Sequence, residues 1–112
     1  MKYYMAPMEG LTGYVYRNAY HKFFYPMDRY FTPFLANKKM SSGERRDILP
    51  ENNEGKCVIP QILTNRSEHF LAVAGELTQY GYDTVNLNVG CPSGTVVAKG
   101  RGAGLLEDPF FI

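Results

Sequence analysis

The residues of this chain best suited to chemistry gather in the run Asn88-Val89-Gly90-Cys91-Pro92-Ser93. Gly90 lets the backbone turn sharply before Cys91 and Pro92 fixes its exit, so the thiol would project from a rigid loop. A lone cysteine is more often a small buried hydrophobe, but a strand-end position beside two asparagines tips Cys91 toward a functional thiol. Asn86 and Asn88 stand two apart, so on a strand they share a face and offer amide donors and acceptors together. Such a pair suits a planar imide such as uracil, or it satisfies neighbouring backbone groups and water. Gln61, polar inside an apolar run, either hydrogen-bonds the edge of a heteroaromatic ring or ties two strands together. The segment from Lys99 to Leu106 alternates glycines with two cations, Lys99 and Arg101. It could approach an anion, but it matches neither the Walker nor the dinucleotide glycine pattern, and spacing alone predicts a solvated flexible loop. Cys57 lies in an apolar strand and is expected in the core, while His21 and His69 fall on predicted helices as surface or packing residues. The sequence shows no metal-ligand constellation.

These groups need elements to position them. Tyr3 to Ala6 reads as a short strand ended by Pro7, then a glycine loop and a helix over 11–24. Arg29 to Leu35 reads as a second strand, the polar stretch 37–46 as a loop, and 48–55 as a connection with at most a short helix before it. Cys57 to Leu63 is a near-continuous apolar strand interrupted at Pro60 and Gln61, as expected when both faces are covered. A helix follows, with Asn65 as its cap, Glu68 reaching back, Phe70, Ala74 and Leu77 on one face, and Gly81 as its stop. Asp83 to Val89 is a further strand with one polar face, and Asp108-Pro109 opens another helix. Strand, helix, strand with long connections means parallel pairing, and repeated βα units without a dinucleotide fingerprint favour a barrel over a doubly wound sheet. In such folds reactive groups collect at the carboxyl edge of the sheet. Three places fit: Ala6-Pro7-Met8, Pro60-Gln61, and Asn86 to Ser93.

The chain has 112 residues, 45% hydrophobic and 21% charged, a balance that excludes a disordered chain and permits one small domain. A net charge of +1, with basic residues spread rather than massed, makes this segment no main clamp for a polyanion. Two cysteines are too few for a disulfide scaffold, and no window approaches the ~18 apolar residues of a membrane span. A cytoplasmic protein without a membrane segment is the expectation.

The motifs Ala6-Pro7-Met8-Glu9-Gly10-Leu11-Thr12, Pro60-Gln61-Ile62 and Asn86-Leu87-Asn88-Val89-Gly90-Cys91-Pro92, followed by Lys99 to Leu106, resemble the tRNA-dihydrouridine synthases in order and spacing. The last block is the most specific. The resemblance implies an FMN-binding TIM (β/α)8 barrel followed by a helical tRNA-binding domain. It implies NADPH-driven reduction of the C5–C6 bond of particular uridines in tRNA. Carried over by position, Pro7 and Met8 would line the flavin, Gln61 would hydrogen-bond its ring system, and Asn88 would help orient the target uracil. Cys91 would donate the proton to C5, with Lys99 and Arg101 near the substrate. The chemistry is coherent: hydride from reduced flavin to C6 builds charge toward C5, which a positioned acid must protonate, and a thiol is mainly protonated at neutral pH. Lys99 and Arg101 are expected to point at phosphate or carbonyl oxygen rather than at sulfur.

A complete barrel takes ~250 residues. The expectation is therefore an N-terminal half of the barrel, truncated after about four βα units, without the C-terminal half-barrel and the helical domain. On its own such a chain would expose a strand edge, so weak FMN binding and no turnover are expected, with a monomer at full length. The nearest alternative is an FMN barrel acting on free pyrimidines, of the dihydroorotate or dihydropyrimidine dehydrogenase type, which carries a related Asn-x-x-Cys-Pro strand end. An inactive fragment or interaction module is the alternative of a different class. The opening Ala-Pro-Met-x-Gly and the block from Lys99 to Leu106 favour the tRNA enzyme.

Overall fold

The structure is a computed structural model that describes residues 1–108 and 110. Short parallel strands alternate with helices. The strands are β1 (Tyr4–Met5), β2 (Arg29–Phe31), β3 (Val58–Ile59), β4 (Gln61–Ile62) and β5 (Asn86–Leu87). The helices are α1 (Tyr14–Phe23), α2 (Ser42–Ile48), α3 (Ser67–Gln79) and α4 (Gly94–Ala98), with 3₁₀ turns at Pro50–Asn52 and Gly102–Glu107. β1 pairs with β2 and β2 with β3, all parallel, in the registers Met5↔Tyr30 and Tyr30↔Val58. β4 pairs in parallel with β5, Gln61 opposite Asn86. Pro60 separates β3 from β4 because it has no N–H to give a ladder. Its carbonyl still accepts from the Asn86 N–H at 2.9 Å, so the extended run 57–63 links both sets of strands.

Alternation sorts the two faces. Met5, Tyr30 and Val58 are buried against Tyr20 of α1 and Met27, and Leu35 and Ile62 pack with Ile48 of α2 and Val73 and Leu77 of α3. Helices α1, α2 and α3 thus cover one face. Tyr4, Ala6, Phe31, Gln61 and Asn86 border a cavity on the opposite side. A doubly wound sheet would place helices on both faces, so this mixed α/β arrangement is consistent with part of a (β/α)8 barrel.

Several local expectations change. The stretch 37–46 is not all loop: Ser41 caps α2 in a capping box with Glu44, a helix that apolar periodicity alone does not reveal. Strand β2 stops at Phe31 because Pro33 follows, and Leu35 forms only an isolated bridge to Ile62. Asn65 does not cap α3; Arg66 occupies that position without a side-chain cap bond, and the Asn65 Nδ2 instead donates to the Lys99 carbonyl at 3.1 Å. Gly81 does end α3, at φ +94°, with the Tyr82 N–H returning to the Leu77 carbonyl. His69 is buried on α3 as a packing residue, whereas Cys57, expected in the core, is exposed. Within the segment 99–106, expected as a solvated loop, Lys99 is exposed but a 3₁₀ turn spans Gly102–Glu107 with Gly102, Gly104 and Leu105 buried. The helix start expected at Asp108-Pro109 lies outside the described residues at Pro109.

Candidate active site

The strand ends open on one cavity of about 500 Å3. Pro7, Met8 and Glu9 reach it after β1, Pro33 and Phe34 after β2, Gln61 from β4, and residues 86–92 from β5 and the loop beyond. A space of this size, apolar with a few placed amides, suits a planar ring.

The loop after β1 is held by Thr12, which is buried. The Met8 N–H donates to Thr12 Oγ1 at 2.8 Å and the Thr12 N–H returns to the Met8 carbonyl at 3.0 Å. Gly10 sits at φ +77°, which this turn needs and other residues rarely adopt. Beneath it, Arg17 Nη1 donates to the Thr12 carbonyl at 2.8 Å.

Across the cavity the three amides form one chain. Asn88 Nδ2 donates to Gln61 Oε1 at 2.9 Å, and Gln61 Nε2 donates to Asn86 Oδ1 at 2.7 Å. The direction is fixed by the backbone, because Asn88 Oδ1 accepts the N–H groups of Gly90 at 3.1 Å and Cys91 at 3.0 Å. A backbone N–H can only donate, so no amide in the series can turn around without losing a bond. Gln61 therefore does tie two strands together, and its second N–H has no partner among the described residues.

Cys91 is half-buried and gripped from both sides. Its N–H is held by Asn88, and its carbonyl accepts from the Ala103 N–H at 3.0 Å. Gly102, at φ +57°, packs so closely that a β-carbon there would lie 2.7 Å from the Cys91 carbonyl oxygen. Gly102 thus allows close approach to the cysteine loop, while Gly104 lies against the Val97 backbone.

Glu9 is the one acid on the cavity wall among the described residues. Burial, then the charges of Asp47 and Glu44, raise its carboxyl above the usual carboxylate range. The rest of the wall is neutral, which favours an uncharged heteroaromatic ring over a phosphate.

The structure brings Pro7, Met8, Gln61, Asn88 and Cys91 to one cavity. It does not bring Lys99 or Arg101 to its wall: Lys99 is exposed, and Arg101 is half-buried with its Nε buried and unpartnered among the described residues. Glu9, Pro33 and Phe34 complete the wall and were not among the expected site residues. The strand-end rule points to Pro33 and Phe34 once β2 is ended at the proline. Among the described residues no cluster of three or more histidine, cysteine or acidic side chains could hold a metal ion. No helix among them is long and apolar enough to cross a membrane.

The structure is thus a parallel α/β chain that gathers amides and a thiol at its strand ends. The family model described as "Dihydrouridine synthase (Dus)" matches residues 4–112, and the chain belongs to that family. It is 29% identical over 109 residues to the "Probable tRNA-dihydrouridine synthase" of Staphylococcus aureus strain COL, covering 94% of this chain and 33% of that protein. The Staphylococcus epidermidis ATCC 12228 protein of the same name is also 29% identical with the same coverage. The "Probable tRNA-dihydrouridine synthase 2" of Bacillus subtilis strain 168 is 26% identical, again over 94% of this chain and 33% of its own length. The chain therefore spans about a third of the length of the curated relatives it matches.

Proposed function

We propose that this segment is the flavin and thiol side of an enzyme that reduces uridine to 5,6-dihydrouridine in tRNA, with FMN as cofactor and NADPH as reductant. The strands would be the N-terminal part of a (β/α)8 barrel, and the activity is that of a protein of the relatives' length. The observation that carries this reading is the meeting of Pro7, Met8, Gln61, Asn88 and Cys91 on one cavity.

The residues present fit a flavin ring. Pro7 and Met8 offer apolar contact to its face, and the spare N–H of Gln61 suits a carbonyl or unprotonated nitrogen on its edge. When bound and reduced, FMN supplies the hydride that reaches C6 of the uracil. As the hydride arrives, Cys91 gives its Sγ proton to C5, which completes addition of one hydride and one proton across the C5–C6 bond. The thiolate left behind recovers its proton from solvent, which a half-buried side chain can reach. Asn88 has one N–H to spare for the uracil. Lys99 and Arg101 lie off the cavity wall and serve carbonyl or phosphate oxygens of the RNA. The target base must leave its stack to enter, a cost of a few kcal/mol that folded tRNA loops reduce.

The test is NADPH-dependent dihydrouridine formation in unmodified tRNA by the full-length, FMN-loaded protein. Cys91→Ala should lower the rate by about 10²–10⁴-fold, the range of a lost general acid. Preference for free uracil or orotate over tRNA would sink the reading and favour a dehydrogenase of free pyrimidines.

A further inference from the structure

We propose that Asn88 acts on the reaction mainly through Cys91, as the positioning residue of a directed amide chain running from Asn86 through Gln61 to the cysteine loop. The proposal rests on Cys91 being the acid.

Three observations carry it. First, Asn88 Oδ1 is already committed to two backbone N–H groups, those of Gly90 and Cys91. It spans the turn that presents the thiol, and has less left for a substrate than its position suggests. Second, the Asn88 side chain is itself fixed, since its Nδ2 is anchored on Gln61 Oε1 and Gln61 on Asn86 Oδ1. Each amide donates in the same sense, an arrangement in which neighbouring bonds polarise and strengthen one another. Third, Cys91 is closed in from the far side by Gly102 and the Ala103 N–H, so the cysteine backbone has a definite seat that the amide chain completes.

The consequence is specific. A proton donor must sit within hydrogen-bond reach of the atom it protonates, and a shift of an ångström is costly. Loss of the Asn88 clamp frees the Gly90-Cys91 turn while leaving β5, the flavin face and the hydride path in place. The defect should therefore fall on the step that uses the thiol and spare the step that does not. Flavin reduction by NADPH needs no proton from Cys91, whereas flavin reoxidation by uridine does.

Both half-reactions can be followed by flavin absorbance in the full-length, FMN-loaded protein, with unmodified tRNA saturating in the second. Asn88→Ala should slow reoxidation by about 10- to 100-fold while flavin reduction changes by less than about threefold. Asn88→Asp keeps an acceptor for both N–H groups but gives up the donor to Gln61 Oε1, so it should recover part of the loss. The same split between half-reactions, read in this variant, keeps the test decisive if the alanine variant fails to fold. In a Cys91→Ala background, Asn88→Ala should cost nothing further, as expected of residues acting as one unit. A full additional loss in that background would show Asn88 acting on the uracil directly and would overturn the proposal. So would equal slowing of flavin reduction and reoxidation in either variant. If Cys91→Ala alone leaves reoxidation unchanged, the acid assignment falls and the proposal with it, a result distinguishable from either of the others.

Discussion

Two polar clusters in this chain use hydrogen bonds in opposite ways. Around Arg17, which is fully buried, the guanidinium donates to the Thr12 carbonyl at 2.8 Å, the Asp47 carbonyl at 2.7 Å and Asn53 Oδ1 at 2.9 Å. Asn53 Nδ2 turns back to the Asp47 and Leu49 carbonyls, and Asp47 Oδ1 accepts the Tyr14 N–H. Nearly every partner is backbone, so the cluster joins α1, α2 and the 3₁₀ turn after it. Around Gln61 the partners are side chains, the groups are neutral, and N–H capacity is left over toward a cavity. A buried charge with a spare bond is costly, whereas a neutral amide can wait for a ligand at small cost. The charged cluster therefore carries structure and the neutral one is suited to binding.

The difference can be broken by one substitution in each cluster. Burial pushes the Arg17 guanidinium below its ordinary value, against the opposing charges of Asp47 and Tyr82; its three acceptors offset that burial, while its buried Nε has no partner among the described residues. Arg17→Met would keep much of the volume and strand three acceptors. We expect a loss of about 3–5 kcal/mol of stability, read as a lower urea midpoint. A midpoint within error of wild type would mean that the cluster is not structural.

Gln61→Met probes the other cluster and should cost less, about 1–2 kcal/mol, because water in the cavity can serve the partners it leaves. Its larger effect should be on FMN affinity, measured by fluorescence titration of the full-length apoprotein. A stability loss equal to that of Arg17→Met, with FMN affinity unchanged, would erase the distinction between the clusters.

The amide cluster was the more legible in sequence, for a physical reason. Gly90-Cys91-Pro92, the Asn86/Asn88 spacing and Gln61 in an apolar run are all local patterns, and strand alternation tells which side chains share a face. The Arg17 cluster depends on residues 30 and 36 positions away, Asp47 and Asn53, which no local period connects. Pro33 and Phe34 are hidden inside a β-rich run until the proline is allowed to end the strand. Helix α2 has little apolar periodicity, yet its Ser41-x-x-Glu44 signature stands in the sequence. The role of Gly102 was illegible because alternating glycines read as freedom, whereas here Gly102 allows a close approach to Cys91.

Glu44 extends the comparison with the sign of the charge reversed. Its carboxylate accepts from the Ala36 N–H at 2.7 Å, Asn37 Nδ2 at 2.6 Å and the Ser41 N–H at 3.0 Å, so it too is committed largely to backbone. Burial alone would push this carboxyl up. Hydrogen bonds from the Asn37 side chain and from the backbone of Ser41, Ala36 and Asn37 outweigh it and hold the carboxyl below its usual range. A depressed folded value means that the unfolded chain takes up the proton first. Stability from this group is therefore complete above the ordinary glutamate pKa of about 4.3 and is lost as pH falls through the lower folded value. Glu44→Gln can still take part in a capping box, and the side chain is partly solvated. The cost at pH 7 should be at most about 1 kcal/mol. Urea unfolding of both proteins from pH 7 downward should show the gap closing below the ordinary glutamate value. A gap that stays constant into acid would mean that the ionised form contributes nothing, and that committed charge is structural in this fold only when it is as deeply buried as Arg17.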